Sequence, residues 1–140
     1  MLEPPKEILA IDPGKHCGYA RFVNGLQVEV GTLHDEEQIW PWLIKQNPGL
    51  FVVEDYKIRD ERHKGFDHSF QSVFPAQVIG AIKFYAAIRG IPICLQQPTI
   101  KSAASAMVTK QPYQKRANKH YWDAFLHGAY YIKKNGLKYE

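Results

Sequence analysis

Short apolar runs near the N-terminus predict three strands joined as hairpins. Residues 7–12 form the first run, and a glycine-containing connection leads into a second run at residues 17–23. The Asn24-Gly25 pair that follows is typical of a two-residue hairpin turn and leads into a third run at residues 27–33. We therefore expect the chain to open with three antiparallel strands.

Beyond residue 34, predicted helices alternate with predicted strands. Asp35 is a candidate cap for the first helix, and Gly90 is a candidate terminator of the second. Hairpins followed by this alternation imply an α/β domain whose mixed sheet carries helices on both faces. The predicted helices are residues 36–45, 74–89, a short one from Pro98 and 118–134; the predicted strands are 50–54 and 91–96; and the charged segment 56–72 is predicted to be a loop.

Two of the predicted buried strands end in a carboxylate. Asp12 follows the apolar residues 8–11, and Glu54 follows the apolar residues 50–53. An ionised carboxylate costs several kcal/mol in a dry core unless it is paired, and a divalent cation is a natural partner. Asp55 is an alternative to Glu54, because both faces of this strand are apolar and periodicity does not choose between them.

The last predicted helix carries further candidates on one face. His120, Asp123 and His127 stand at i, i+3 and i+7, which places them on the same side of a helix. They meet Asp12 and Glu54 if the first and fourth strands are neighbours, and a sheet order of 3-2-1-4-5 satisfies that condition. For His127, a solvent-facing histidine at the surface, a core histidine with satisfied hydrogen bonds and an accessory functional role are all open.

Length and composition limit the class of protein. The 140 residues, 45% of them hydrophobic, suit a single domain over residues 1–140 and are too few for two lobes with a cleft between them. No apolar run approaches the roughly 18 to 20 residues of a membrane span, and no secretory signal is visible, so we expect a cytoplasmic protein. Cys17 and Cys94 lie inside predicted strands and are expected to be small buried apolar residues.

Charge is distributed unevenly along the chain. Residues 68–122 contain no Asp or Glu and seven basic residues, so the rest of the chain carries a net charge of −3 against the total of +4. Such a division favours a basic surface that binds a polyanion, most commonly nucleic acid. An ordinary solvated basic face is the alternative. The basic residues of this region are Lys83, Arg89, Lys101, Lys110, Lys115, Arg116 and Lys119.

Three motifs together resemble those of RuvC-type Holliday junction resolvases, in particular the compact phage-related members. The order of elements agrees along essentially the whole chain. The resemblance implies an RNase H-like fold with a five-stranded sheet, a homodimer, and symmetric paired nicking of four-way DNA junctions with Mg²⁺, or Mn²⁺ in its place. It also implies a location in the cytoplasm of a bacterial or phage-infected host cell. The motifs are Ile11 to Tyr19, Val52-Val53-Glu54 and His120-Tyr121-Trp122-Asp123-Ala124.

Carried over by position, the resemblance implies roles for individual residues. Asp12, Glu54, His120 and Asp123 become the ligands of two metal ions, which activate water and stabilise the leaving oxygen. Lys101 matches a basic position that lies near the scissile strand. The predicted DNA-binding residues are Lys57, Arg59, Lys83, Lys101, Lys110, Lys115, Arg116 and Lys119.

Some family features have more than one candidate here. Lys57 stands where the family often has an aromatic wedge, so Tyr56, Phe66 and Phe70 are candidates, each with the alternative of a loop residue packed on its own domain. Helix residues 78–88 are apolar nearly all round, which suits either a fully buried helix or a dimer interface.

Other functions remain alternatives at this point. A less selective branched-DNA or flap nuclease, or a non-catalytic junction-binding module, is compatible with the same scaffold. The Asp-x-Gly motif at residues 12–14 also occurs in actin-like kinases and ATPases, but those proteins need two lobes. Retention of all four site positions argues against a pure binding module, because carboxylates repel phosphate.

Overall fold

A computed structural model describes residues 3–14, 16–56, 70–107 and 119–139, with the backbone alone described at 70–72 and 119. The strands are β1 (Glu7–Asp12), β2 (Cys17–Val23), β3 (Leu26–Leu33), β4 (Leu50–Glu54) and β5 (Ile93–Gln96). The helices are α1 (Glu36–Leu43), α2 (Phe70–Arg89), α3 (Ile100–Met107) and α4 (Lys119–Lys134).

The five strands form one mixed sheet in the order β3-β2-β1-β4-β5. The hairpin strands β1, β2 and β3 pair antiparallel, whereas β4 pairs parallel with both β1 and β5. This confirms the predicted strand order. Because β1 and β4 are parallel neighbours, their carboxyl ends lie side by side at one edge of the sheet.

Alternate side chains of β1 and β4 supply two separate cores. Leu9 and Ile11 belong to the core under α1 and α2, while Ile8 and Ala10 belong to the core under α3 and α4. Residues 8–11 are each at most 1% exposed, which explains why this strand is apolar throughout. The prediction of helices on both faces is confirmed.

The predicted turn and cap are present. Asn24 and Gly25 both have positive φ, at 51° and 82°, as a hairpin turn that follows the strand twist requires. Asp35 caps α1 by accepting a hydrogen bond from the backbone N–H of Gln38 at 3.0 Å. Local sequence chemistry therefore fixes both features.

Boundaries differ from the prediction by one or two residues at β3, α1 and α3, and two further differences have a physical cause. The helix expected from residue 74 begins at Phe70, so residues 70–72 are helical rather than loop, and Pro75 lies inside α2. Burial of Phe74, 1% exposed, outweighs the loss of one backbone hydrogen bond at the proline. Strand β5 begins at Ile93 rather than two residues earlier, because Pro92 has no N–H to give to the ladder.

Both cysteines are free thiols. Cys17 is buried in the core and Cys94 is half-buried, so the prediction of small apolar residues holds for Cys17 and in part for Cys94. Burial raises the pKa of the Cys17 thiol, which keeps it protonated and inert. Within the described part of the chain, no helix combines the length and apolar character needed to span a membrane.

Candidate active site

Asp12 and Glu54 lie together where β1 and β4 end. Ile11 is in register with Val53, so the next residues on the two parallel strands are neighbours. The two carboxyl groups are hydrogen-bonded to each other, and Asp12 is only 7% exposed. Asp55 instead accepts a hydrogen bond from Gln97 at 3.3 Å and does not line the cleft. The structure thus places Glu54, and not Asp55, in the cleft.

Two glycines let α4 pack directly on the sheet beside these carboxylates. A Cβ on Gly18 would lie 2.0 Å from the backbone carbonyl of His120, and a Cβ on Gly128 would lie 2.1 Å from the ring of Phe22. Gly18 was predicted only as part of a tight connection. The structure places it within β2, opposite Asp12, where its missing side chain makes room for the start of α4.

The site is an open cleft of about 460 Å³. All five residues predicted to be catalytic line it, from two strands and two helices. His16 also lines the cleft and had not been predicted as a site residue, although it lies inside the first motif. The lining residues are Asp12, Pro13, Gly14, His16, Glu54, Pro75, Lys101, His120 and Asp123.

Lys101 brings a cation to the carboxylates from the start of α3. Its Nζ lies 2.9 Å from Oε1 of Glu54 and 3.5 Å from Oδ2 of Asp123. Burial favours the neutral amine, but the hydrogen bond and charge of Glu54 outweigh it and raise the pKa of Lys101. The amine is therefore a firm positive charge inside the cleft.

The two strand-end carboxyls differ sharply in acidity. Burial, followed by the charge and hydrogen bond of Glu54, raises the pKa of Asp12 to about 9. Burial alone would also raise the pKa of Glu54, but hydrogen bonds from His127, Asp12 and Lys101 lower it to about 2. At neutral pH the pair consequently holds one proton, on Asp12.

The donor set suits a hard divalent cation. Carboxylate oxygens are the ligands that Mg²⁺ and Mn²⁺ prefer. A carboxyl group that keeps its proton above neutral pH also indicates that the nearby positive charge does not balance the negative charge of the carboxylates. As they stand, no three Asp, Glu, His or Cys side chains among the described residues are arranged to hold an ion. The Lys101 ammonium takes the position between Glu54 and Asp123.

His127 is fully buried beneath the cleft. It is 0% exposed; its Nε2 lies 2.9 Å from Oε1 of Glu54, and its Nδ1 lies 2.8 Å from Oε1 of Gln96. The surface alternative for this residue is therefore wrong. His127 has both ring nitrogens engaged and touches a predicted catalytic carboxylate.

Histidines from three segments gather at the cleft mouth. Nδ1 of His34 lies 3.3 Å from Nδ1 of His16, and the ring centroids of His16 and His120 are 5.4 Å apart. Burial, with the neighbouring His16, lowers the pKa of His120 despite the opposing charge of Asp123. His120 is therefore a neutral imidazole at physiological pH, able to accept a proton or coordinate a metal.

Comparison with known proteins was made by sequence and by structure. No protein-family model matches the chain, and no curated protein sequence matches it. Among solved structures, Thermus thermophilus RuvC in complex with a Holliday junction substrate superposes with a TM-score of 0.66 at 14% identity, over 95% of this chain and 98% of that chain. A second structure of Thermus thermophilus RuvC gives a TM-score of 0.62 at the same identity and coverage.

The chain folds like RuvC. The likeness spans nearly the full length of both proteins, so it confirms the fold that the three motifs implied, including the sheet order. At 14% identity the likeness to RuvC concerns the fold.

Other predicted residues lie away from the cleft or outside the described part of the chain. Tyr56 packs against the core under α1 and α2, as its loop-residue alternative predicted. Lys83 is exposed on α2 and does not line the cleft. Outside the described residues are Lys57, Arg59, Phe66, Lys110, Lys115 and Arg116, together with the side chains of Phe70 and Lys119.

Proposed function

We propose that this protein is a metal-dependent endonuclease that resolves four-way DNA junctions by paired nicks. The observation that carries the proposal is the convergence of Asp12, Glu54, Asp123 and Lys101 in one cleft, on a fold shared with RuvC. A structural relative of this chain is described in complex with a Holliday junction substrate. The excess of positive charge over residues 68–122 supports a polyanionic partner.

The cleft residues divide the work of phosphodiester hydrolysis. Asp12, Glu54 and Asp123 would hold the divalent cation, Mg²⁺ or Mn²⁺ with two ions per site, and His120 would be either a fourth ligand or the acceptor of a proton from the attacking water. When bound, the metal lowers the pKa of that water and stabilises the leaving oxygen. Asp12 must release its proton for this site to form, which couples metal binding to proton release.

Lys101 serves the substrate in this scheme. Its ammonium neutralises Glu54 and Asp123 in the metal-free protein. Once a cation compensates the carboxylates, the flexible lysine stem allows the ammonium to turn toward a phosphate oxygen of the scissile strand. Lys101 thus supplies positive charge to the carboxylates before DNA binds and stabilises negative charge on the phosphate afterwards.

Paired nicks require two sites, and α2 offers a surface for a second copy of the chain. Phe84 and Ile88 stand one turn apart on α2 and are 69% and 64% exposed, while Val78 and Ile82 on the opposite side are buried. The alternative of a fully buried α2 is therefore wrong. A two-fold dimer through this exposed stripe matches the approximate two-fold symmetry of a junction. Sedimentation equilibrium of the wild type and of Phe84→Ser tests it: we expect a dimer and a monomer.

Cleavage of a synthetic four-way junction, a three-way fork and a linear duplex of shared sequence tests the function. Each substrate is incubated with Mg²⁺, Mn²⁺ or chelator, beside Asp12→Asn and the matched control Asp55→Asn, which alters the adjacent carboxylate outside the cleft. We expect symmetric, metal-dependent nicks in the four-way junction alone, lost in Asp12→Asn and kept in Asp55→Asn. Equal cutting of the fork would indicate a general debranching nuclease. No cutting with either metal would indicate a junction-binding module.

A further inference from the structure

We propose that His127 is a positioning residue that holds the Glu54 carboxylate in place from beneath the cleft. The imidazole does not line the cleft, so its action on the chemistry is indirect, through Glu54. The catalytic part of this inference rests on the proposed nuclease function. The positioning part concerns the metal-free protein and is independent of it.

The His127 side chain connects α4 to the ends of strands β4 and β5. Glu54 and Gln96 are partners in register on the parallel strands β4 and β5, each at the last residue of its strand. His127 reaches both side chains at once, with contacts of 2.9 Å and 2.8 Å, while being 0% exposed. No solvent competes for these bonds, so the ring has one fixed orientation.

Glu54 determines the role of Nε2. A carboxylate oxygen accepts, so Nε2–H is the donor to Oε1 of Glu54. Nδ1 faces Gln96, whose amide can meet a ring nitrogen with its carbonyl oxygen as acceptor or with its N–H₂ as donor. Either orientation of the amide leaves the bond from Nε2–H to Glu54 in place.

The bond from His127 is the one that survives substrate binding. Oε1 of Glu54 has two donors, Nζ of Lys101 on the cleft side and Nε2 of His127 beneath. The lysine side chain is 31% exposed and is free to turn toward a phosphate, whereas the buried ring is not. His127 therefore keeps Glu54 oriented at the stage when Lys101 serves the DNA. Partners of this kind typically contribute roughly 10- to 100-fold to metal affinity or activity.

Two substitutions separate donation from packing. His127→Leu replaces the ring with an apolar side chain of similar size and so removes the donor. His127→Gln instead places an amide N–H₂ near the position of Nε2. We expect His127→Leu to weaken Mn²⁺ binding, measured by electron paramagnetic resonance without DNA, by about 10- to 100-fold. It should slow single-turnover junction cleavage by a similar factor at unchanged junction affinity. His127→Gln should restore most of both.

A metal-free measurement tests positioning directly. The side-chain carboxyl ¹³C resonance of Glu54 should be single and sharp in the wild type and in His127→Gln, and exchange-broadened in His127→Leu. Phe125→Leu is the matched control, since Phe125 is a buried residue of the same helix that does not line the cleft. We expect it to lower thermal stability while leaving the Glu54 resonance and Mn²⁺ affinity unchanged.

The outcomes distinguish this inference from the proposed function. If the wild type cuts no junction, or binds no Mn²⁺, while the Glu54 resonance broadens in His127→Leu and sharpens in His127→Gln, the nuclease proposal fails and the positioning role stands. If the resonance stays sharp in His127→Leu, or if Leu and Gln variants behave alike in every measurement, His127 is a core residue and the inference is overturned.

Discussion

Strand β1 carries a carboxylate at each end, and the two carboxylates lie in different environments. At the start of β1, Glu7 meets Arg21 at 2.6 Å, and the same guanidinium bonds Glu29 at 2.8 Å and Gln46 at 2.6 Å. At the end of β1, Asp12 joins Glu54 and Asp123 around the single ammonium of Lys101. Within the described ranges, both clusters combine acids with one cation, yet only the second opens into a cleft.

The difference lies in how completely the cation satisfies its partners. Arg21 presents a planar fork of donors, and each of its three acceptors receives its own hydrogen bond, so the cluster is complete without a ligand. Lys101 faces more carboxylate than one ammonium neutralises, and Asp12 keeps a proton as a result. A cluster that must retain a proton to exist at neutral pH is one that a divalent cation would complete.

The largest expected effect is that of Asp12→Asn on cleavage. In the proposed mechanism Asp12 holds the cation, and loss of its carboxylate would remove several kcal/mol of transition-state stabilisation, so we expect the cleavage rate to fall about 1000-fold or more. Junction affinity, measured by gel shift in Ca²⁺, should be unchanged. Simultaneous loss of binding and cleavage would mean that Asp12 supports the fold and not the chemistry.

The same substitution should stabilise the metal-free protein in a pH-dependent way. The pKa of Asp12 lies near 9 in the folded protein against a usual value of 3.8, so the fold retains a proton that the unfolded chain releases. The contribution of Asp12 to stability is therefore fully present below about pH 4 and is lost as the pH rises toward 9. Asparagine has no such proton, and we expect Asp12→Asn to gain about 1 to 3 kcal/mol at neutral pH. Urea unfolding with chelator at pH 4, 6 and 8 measures the gap, and a constant gap would refute this account of Asp12.

Substitution of Lys101 should reduce activity with little change in stability, and substitution of Arg21 should reduce stability with little change in activity. Lys101→Leu should slow cleavage roughly 100-fold, because it removes positive charge from the scissile phosphate, and should change stability by less than about 1 kcal/mol. Arg21→Leu removes the hydrogen bonds that Glu7, Glu29 and the buried amide of Gln46 accept from the guanidinium, so it should lower stability by about 1 to 3 kcal/mol. Its specific activity, measured on the folded fraction, should match the wild type. Equal losses of activity in the two variants would contradict the distinction.

Gly18→Ala tests how the second cluster is assembled. The new methyl group would lie 2.0 Å from the backbone of His120, which must shift because backbone cannot rotate away. We expect a loss of about 1 to 3 kcal/mol in stability. Displacement of His120 and Asp123 should also reduce cleavage at least about 10-fold, since an error near 1 Å in such a site costs up to 100-fold.

Gly80→Ala is the matched control for that glycine. Nothing lies within 4 Å of a Cβ built there, on an exposed position of α2. Helix propensity predicts a gain of about 0.5 to 1 kcal/mol with unchanged cleavage per folded molecule. Thermal melts of both variants, with cleavage assayed alongside, separate the close approach at Gly18 from a general effect of adding a methyl group.

The smallest expected effect concerns the choice of metal. A neutral imidazole is a more acceptable ligand for Mn²⁺ than for Mg²⁺, and the lowered pKa of His120 favours the neutral ring. We expect Mn²⁺ to support junction cleavage at least as well as Mg²⁺, and His120→Asp to shift the preference toward Mg²⁺. Much weaker cleavage with Mn²⁺ would argue against His120 as a ligand.

The sequence by itself determined the elements whose signals are local. Apolar runs located β1 and β4, because strands buried on both faces must be apolar throughout, and Asn24-Gly25 fixed the hairpin through its positive φ angles. A charged residue after each run marked Asp12 and Glu54. Helical spacing placed His120 and Asp123 on one face.

Only the tertiary structure decided the features that depend on contacts between distant segments. The choice of Glu54 over Asp55 follows from which neighbour faces α4, and periodicity is silent where both strand faces are buried. Gly18 needs its missing side chain because α4 crosses β2 there, which no local turn preference encodes. Helical spacing placed His127 on the same face as His120 and Asp123, but its hydrogen-bond partners lie 73 and 31 residues away in sequence, and only the packing of α4 against β4 and β5 revealed them.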